Sequence, residues 1–210
     1  VPIIASDGYV LGTFAVYSNT PSEPHAYELE VLEMLAALYA VALEKYRLEE
    51  QLHFHASRDP LTHCFNRRAL LTEVDRKING KCGRNAVVGC FFVDIDEFKY
   101  INDRFGHETG DQVLVLVAEY LKEAFRSCSV IGRYGGDEFV GFCCFPNQHT
   151  YQSFVERLED ELNQVCQLEE YKVKASIGAA CSTASERAVL QQLIQQADVA
   201  MYQNKRAKRA

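Results

Sequence analysis

The chain has little positive charge for its size: 22 lysines and arginines stand against 29 aspartates and glutamates in 210 residues, giving a formal net charge of -7. Proteins that bind nucleic acids in general hold the phosphate backbone with clustered Lys and Arg. The sequence has one short basic cluster, at Lys205–Arg209. We therefore expect no nucleic-acid partner.

Long apolar runs are also missing. A membrane-spanning helix takes about 20 consecutive apolar residues, and no segment reaches that length. The N-terminus lacks the charged start, apolar core and small-residue cleavage site of a secretory signal. We expect a cytoplasmic protein without a membrane partner.

The eight cysteines lack the CxxC spacing of zinc sites and any regular disulfide framework. Several lie within apolar runs, where a free cysteine behaves as a small hydrophobic side chain. We expect reduced, buried thiols and no structural metal.

Residues 1–25 contain two strand-like runs, Val1–Ile4 and Val10–Tyr17, with a turn at Asp7-Gly8. Two strands are too few for a stable sheet. We therefore expect this segment to be the final part of a larger domain.

Residues 26–57 have the pattern of one long helix without Gly or Pro. Two interpretations stay open: a dimerising helix that joins two domains, or an amphipathic helix that packs on its own domain. The pattern is too short to decide, because a coiled-coil seam is convincing only over about three or four heptads. The apolar residues with the alternating three- and four-residue steps of such a seam are Leu32, Leu35, Tyr39, Ala42 and Tyr46.

A third region, 58–210, begins where Pro60 disfavours helical geometry in the residue before it. The patterns that follow predict a helix, a strand, two helices, two strands, a helix, a strand and a helix. This order is typical of an α+β fold with a central sheet covered by helices. Val87–Val93 is almost wholly apolar and predicts a strand buried on both faces.

Carboxylates follow two of these strands. Asp94 and Asp96 end the buried strand, where open sheets usually bind their ligands. A Gly-Gly pair at 135–136 predicts a hairpin, because glycine reaches positive φ without steric cost, and its tip carries Asp137 and Glu138. If the strands pair, the carboxylates converge and suit Mg²⁺ with a nucleoside triphosphate. The alternative, unrelated strand-end aspartates in solvated turns, stays open.

Polar residues after the buried strand suit the nucleotide itself. Lysine neutralises phosphate charge, and an Asp with an Asn selects guanine over adenine, because the Asp accepts from two donors that adenine does not present on that edge. Lys205 and Arg209 share a helical face and add cationic charge, although a solvated helix end that complements its own dipole explains them equally well. The other candidates are Lys99, Asn102, His107 and Asp111.

Ordered motifs from Arg58 to the C-terminus resemble the GGDEF family of diguanylate cyclases. The residues from Gly12 through the long helix look like the final strands and last helix of a GAF sensory domain. The motifs are RDPLT at 58–62, NRR at 66–68, FVDIDEFKYIND at 92–103, FGH at 105–107, GD at 110–111, RYGGDEF at 133–139, SIG at 176–178 and ADVAMY at 197–202.

The resemblance implies a fold similar to the palm of class III nucleotidyl cyclases and the condensation of two GTP into cyclic di-GMP and two pyrophosphates. It implies Mg²⁺, with two ions per site and Mn²⁺ as an alternative, held by Asp94, Asp137 and the backbone carbonyl of Ile95. Asp137 is then the favoured acceptor of the 3′-hydroxyl proton, and Glu138 is the competing one. A metal that lowers the hydroxyl pKa by itself is a third possibility.

The remaining roles are carried over by position. Lysines and an arginine would bind the phosphates. An amide and a carboxylate would bind guanine, with an aromatic ring and a histidine next to them. The phosphate group comprises Lys99, Lys205 and Arg209, and the guanine group comprises Asn102 and Asp111 with Phe98 and His107.

The implied product contains two equivalent phosphodiesters, so two GTP-loaded sites must face each other in a homodimer. A sensory domain would then act through the long helix. The alternative function is a catalytically inactive GTP-binding signalling module, which the intact signature residues disfavour.

Two departures from the family pattern stand out. An inhibitory product site, Arg-x-x-Asp, reads Arg126-Ser127-Cys128-Ser129, so Ser129 replaces the acidic partner and we expect weak or absent feedback inhibition. The usual Gly-Arg-Asn near the end reads Lys208-Arg209-Ala210, which leaves Lys205 the better-matched phosphate ligand.

Overall fold

A computed structural model describes residues 1–17, 19, 23–78, 86–125, 129–165, 167–168, 171–183 and 187–209. The chain divides into two compact units, Val1–Ala56 and Ser57–Ala210. No helix in the described ranges is long and apolar enough to cross a membrane.

The first unit consists of a hairpin and a helix. Strands β1 (Pro2–Ile4) and β2 (Val10–Thr13) pair antiparallel, and helix α1 spans Ala26–Ser57. Gly8 turns the hairpin with φ 86°, a backbone conformation that glycine adopts without strain. Ala36 and Ala40 of α1 are buried with Ile3 of β1, so the helix packs a small-residue face on the hairpin.

Most residues of the predicted seam of α1 are exposed. Leu35, Tyr39 and Tyr46 remain between 46% and 59% exposed, although the ring of Tyr39 meets Phe14 edge-on at 5.5 Å. The helix therefore packs on its own unit through one face and leaves apolar side chains exposed on another. The coiled coil and the three predicted domain boundaries stay predictions.

The second unit is a mixed sheet covered by helices, as the sequence predicts. The strands lie in the order β3-β5-β6-β4-β9, with β3 parallel to β5 and all other pairs antiparallel. The elements are β3 (Phe65–Asn66), α2 (Arg67–Ile78), β4 (Val87–Ile95), α3 (Phe98–Phe105), α4 (His107–Ala124), β5 (Ser129–Arg133), β6 (Glu138–Phe145), α5 (Gln148–Val165), β7 (Gln167–Leu168), β8 (Tyr171–Lys172), β9 (Ala175–Ser182) and α6 (Arg187–Arg209).

Strand β4 lies between β6 and β9, and every one of its residues is buried. Because side chains alternate across a sheet, Phe91 faces one layer, where its ring meets Phe125 at 5.1 Å and Phe154 at 5.2 Å. Phe92 faces the other layer, with residues of α2 and α6. A continuous apolar run is what this two-sided burial requires.

The outer edge of β9 is covered by side chains. Asn163 accepts a hydrogen bond from the Ala175 N–H at 2.9 Å, and Lys208 donates to the Ala175 carbonyl at 2.9 Å. Asn204 donates to the Ile177 carbonyl at 2.8 Å. These contacts satisfy edge groups that would otherwise be open to another strand.

Among the cysteines that the structure describes, Cys144 differs from expectation. Cys64, Cys90 and Cys181 have free thiols, and burial raises the pKa of the Cys90 thiol. Cys144, however, is disulfide-bonded. The expectation of reduced thiols throughout is therefore wrong there, because a side chain's place in an apolar run does not reveal its neighbours in space.

Gly178 sets how closely α6 approaches the sheet. A Cβ at this position would overlap the carbonyl of Ala197 and the backbone of Met201, whose Cα would lie 2.7 Å away. Because these obstructing atoms are helix backbone, they cannot move aside as a flexible side chain would. Glycine at position 178 therefore allows α6 to rest directly on β9.

We predict that Gly178→Ala lowers the free energy of unfolding by roughly 3 kcal/mol, through overpacking against a backbone. The matched control is Gly136→Ala. Apart from the glycine and its chain neighbours, no atom of the described residues lies within 4 Å of the added Cβ, so that change should stay within about 1 kcal/mol. Urea unfolding followed by circular dichroism measures both. Equal midpoints for the two variants would contradict the assigned role of Gly178.

Candidate active site

The register of β4 and β6 brings the two predicted groups of carboxylates together. Asp94 lies directly opposite Glu138 in the antiparallel ladder. Beyond the last pair, the Ile95 N–H donates to the Asp137 carbonyl at 3.2 Å. Backbone hydrogen bonds thus join the strand end to the hairpin tip, independently of the side-chain conformations.

The hairpin glycines act differently from the prediction. Neither Gly135 nor Gly136 lies in the left-handed φ region, so the expectation of positive φ is wrong. The N–H groups of Tyr134 and Gly135 both donate to the Glu138 carbonyl, at 2.7 and 3.3 Å. A Cβ at Gly135 would overlap the Glu138 carboxylate, so glycine here leaves room for the acidic side chain to fold back over the turn.

Negative charge accumulates at this junction. Burial raises the pKa of Asp94, and the charges of Asp137 and Asp96 raise it further, while contact with the Lys205 ammonium opposes the rise. Burial likewise raises the pKa of Glu138, followed by the charges of Asp137 and Asp94. Crowded carboxylates of this kind favour a bound cation.

The structure brings Lys205 to Asp94, as part of a close ion pair whose side chains are only 19% and 13% exposed. In the described ranges, no group of three or more His, Cys, Asp and Glu side chains could hold a metal ion. The predicted ligand set consists of two carboxylates and one backbone carbonyl. Such a set suits a hard ion that takes its other ligands from water and phosphate.

Asp96 has separate partners. It accepts a hydrogen bond from the Ser176 hydroxyl at 2.9 Å, and Lys208 approaches it at 3.9 Å. Lys208 also forms an ion pair with Glu159. Asp96 is therefore tied to β9 and α6.

The predicted guanine-binding residues lie at the junction of α3 and α4, where Gly106 between the helices has φ 88°. A Cβ on Gly110 would overlap the Asn102 amide oxygen and lie 3.4 Å from Phe98. Asn102 and Phe98 thus pack against the residue that precedes Asp111. Lys99, His107 and Asp111 are exposed.

Two further residues here were not predicted as site residues. Gly110 provides the space for the Asn102 side chain, and Leu61 lines a cavity of about 340 Å³ with Asp111. A glycine inside a helical pattern was the available signal for the first, because such a residue costs helix stability unless it has a packing reason. Leu61 is distant in sequence; the RDPLT motif at 58–62 contains it, but no pattern assigned it to the site. The other lining residues are Gln112, Val115, Leu116 and Glu119.

A larger cavity, of about 440 Å³, lies next to the carboxylates. It adds Lys172 and Lys174 to the cations that the sequence predicted. We call it the lysine cavity; its lining residues are Asp96, Glu97, Asn163, Lys172, Lys174, Lys205 and Lys208.

Two predicted residues fall outside the described part of the chain. They are Arg126 and, for its side chain, Arg209, although the backbone of Arg209 ends α6. The Ser129 hydroxyl donates to the Phe125 carbonyl. The predictions for Arg126, Ser129 and Arg209 stay predictions.

Arg133 fastens the hairpin tip to the loop at Asp59. Its guanidinium donates to the Gly136 carbonyl at 2.7 and 3.1 Å and to both Asp59 carboxylate oxygens at 3.2 Å. Asp59 also accepts from the Thr62 N–H and hydroxyl. Burial alone would raise the pKa of Asp59, but the hydrogen bonds from Thr62 and the charge of Arg133 lower it overall.

Known proteins resemble both units. A family model described as "Diguanylate cyclase, GGDEF domain" matches residues 56–210, and a model described as "GAF domain" matches residues 1–43. The chain is 32% identical to the diguanylate cyclase DgcP of Escherichia coli (strain K12), over 99% of this chain and 63% of that protein. It therefore spans less than two thirds of that relative's length.

Two solved structures share the fold. One is the coiled coil and GGDEF domain of DgcB from Caulobacter crescentus in complex with c-di-GMP, with a TM-score of 0.68 and 27% identity over 85% of this chain and 95% of that one. The other is the diguanylate cyclase SiaD in complex with its activator SiaC from Pseudomonas aeruginosa, with a TM-score of 0.63 and 29% identity over 86% and 70%.

We predict that Asp59→Asn lowers the free energy of unfolding by about 1–3 kcal/mol at neutral pH, as expected for loss of a charged hydrogen-bond acceptor. Because the folded pKa is depressed, the stabilisation is present above the unfolded pKa and is lost as pH falls through the folded value. The difference from wild type should therefore shrink in acid. Urea unfolding at several pH values measures it, with the exposed Asp160→Asn as control. A pH-independent difference would contradict the ionic role of Asp59.

Proposed function

The chain belongs to the GGDEF family of diguanylate cyclases, and from this premise we propose that it condenses two GTP into cyclic di-GMP and two pyrophosphates. The observation that carries the proposal is the β4–β6 register, in which Asp94 faces Glu138 and Ile95 bonds to Asp137. A fixed backbone frame for three carboxylates suits chemistry on a polyphosphate.

In each half of the reaction, the 3′-hydroxyl of one GTP attacks the α-phosphorus of the other. A new P–O bond forms, the bond from the α-phosphorus to the bridging oxygen breaks, and pyrophosphate leaves with the electron pair. We assign the hydroxyl proton to Asp137, with Glu138 as the alternative. The raised pKa of Glu138 supports that alternative, because a more basic carboxylate accepts a proton more readily.

Asp94, Asp137 and the carbonyl of Ile95 would hold Mg²⁺, with two ions per site and Mn²⁺ as an alternative. All three ligands offer hard oxygen donors, and the raised pKa of Asp94 reflects burial and carboxylate crowding that a cation relieves. When bound, the metal neutralises phosphate charge and lowers the pKa of the attacking hydroxyl. Lys205, which pairs with Asp94, would then be available to the phosphates.

For guanine, we propose that the Asp111 carboxylate accepts from the N1 and N2 donors while the Asn102 amide serves the acceptors. Phe98 and Leu61 would provide apolar contact, and His107 would lie beside the base. A nucleotide without the two donors leaves Asp111 unpaired, which penalises adenine. Lys99, Lys205 and Arg209 would bind the phosphates.

We further propose a homodimer controlled by a sensory domain. Two sites must face each other to close a symmetric product. The exposed side chains of Leu35, Tyr39 and Tyr46 give α1 an apolar surface for a second copy, and the GAF match to residues 1–43 supports a sensory role.

The test is incubation of the intact protein with GTP and Mg²⁺, followed by chromatography of the products. Wild type should form cyclic di-GMP and pyrophosphate in a ratio of one to two, at a rate per protomer that rises with protein concentration. Asp137→Asn should lower the rate at least about a hundredfold, the scale of losing one preorganised electrostatic group. GTP binding without product in wild type would contradict the proposal and favour the inactive GTP-binding module.

Gly110→Ala should raise KM for GTP by about tenfold or more while the fold persists, because the added methyl displaces the Asn102 amide. Asn102→Ala should cause a similar rise. The double variant should be little worse than either single one, since both changes remove the same contact. Independent, multiplicative effects on KM would contradict the assigned role of Gly110.

A further inference from the structure

Among the residues that the structure describes, the lining of the lysine cavity has more positive than negative charge. Four lysines and two acidic residues line it. Two of the lysines are already paired within the protein: Lys205 contacts Asp94, and Lys208 contacts Glu159 and donates to the Ala175 carbonyl. The excess positive charge therefore comes from the other two lysines.

Lys172 and Lys174 are that pair. In the parts of the chain that the structure describes, no carboxylate lies within ion-pair distance of either ammonium. Both side chains are exposed, so an anion in the cavity can reach them.

The backbone fixes where these two side chains lie. Val173 between them is 1% exposed and belongs to the core, so in an extended segment its two neighbours project to the opposite, outer side. The Asp96 N–H donates to the Lys174 carbonyl at 2.9 Å. Lys174 is thereby tied to the turn that follows Asp94, at the mouth of the candidate active site.

We propose that Lys172 and Lys174 bind the terminal phosphates of GTP and retain them as pyrophosphate after cleavage. The assignment rests on the proposed function and extends the predicted phosphate ligands by two residues. Ammonium groups hold phosphates as point charges, and a cation beside the leaving group stabilises the charge that develops as the α–β bond breaks.

Direct binding of inorganic pyrophosphate tests the assignment without turnover. Isothermal titration in Mg²⁺ compares wild type with Lys172→Gln/Lys174→Gln, with the charge-conserving Lys172→Arg/Lys174→Arg, and with Arg157→Gln, a control that removes one exposed charge from α5. We expect about tenfold weaker pyrophosphate binding in the glutamine variant, the scale of lost hydrogen bonds to charged groups. The arginine variant and the control should bind like wild type, and GMP, which lacks the terminal phosphates, should bind all four equally.

Turnover of GTP separates this inference from the proposed function. A wild type that makes no cyclic di-GMP, combined with weakened pyrophosphate binding in the glutamine variant, would reject the cyclase and support the two lysines as a polyphosphate site. Unchanged pyrophosphate binding in that variant would overturn the inference, whether or not wild type makes cyclic di-GMP. Equal weakening for GMP and pyrophosphate would also overturn it, because the lysines would then not act on the terminal phosphates.

Discussion

The antiparallel pairing of β4 with β6 is the constraint on which the candidate site depends. Its register places Glu138 opposite Asp94 and extends to the bond between Ile95 and Asp137. A slip of one residue would move every side chain of β6 to the other face of the sheet. It would also put a larger residue in the place of Gly141, where a Cβ would already lie 3.1 Å from the ring of Phe125. The core thus sets the positions of acidic side chains that would otherwise repel each other.

Lysines of α6 then offset this repulsion at Asp94 and Asp96. Helix α6 reaches the site because Gly178 lets it lie on β9, and from there Lys205 contacts Asp94 and Lys208 approaches Asp96. Arg133 fixes the opposite side, where it joins the hairpin tip to Asp59. Packing and electrostatics are therefore coupled, since a change in the distance between helix and sheet alters the charge balance at the carboxylates.

Much of this could be read from local patterns. The apolar run of β4, the hairpin before Glu138 and the periodicity of the long helices all depend on near neighbours in sequence. The two-residue strands β3 and β7 were missed, because so short a segment has no periodicity. Strand β8 was merged with β9 into one predicted strand over residues 171–180. The roles of Gly135, Gly110 and Leu61 were missed for another reason. Each depends on the direction that another side chain takes in the folded chain, even for Gly135 and Glu138, which are close in sequence.

The covered edge of β9 has a consequence for self-association. A bare edge strand is a template for another chain, and this is how many sheets begin to aggregate. At Ala175 and Ile177 the outward backbone groups already form hydrogen bonds with the side chains of Asn163, Lys208 and Asn204. These contacts suppress strand exchange at this stretch. Two copies of the chain would then associate through side-chain surfaces, which can separate again. Reversible association suits a protein whose proposed product must be released from between two subunits.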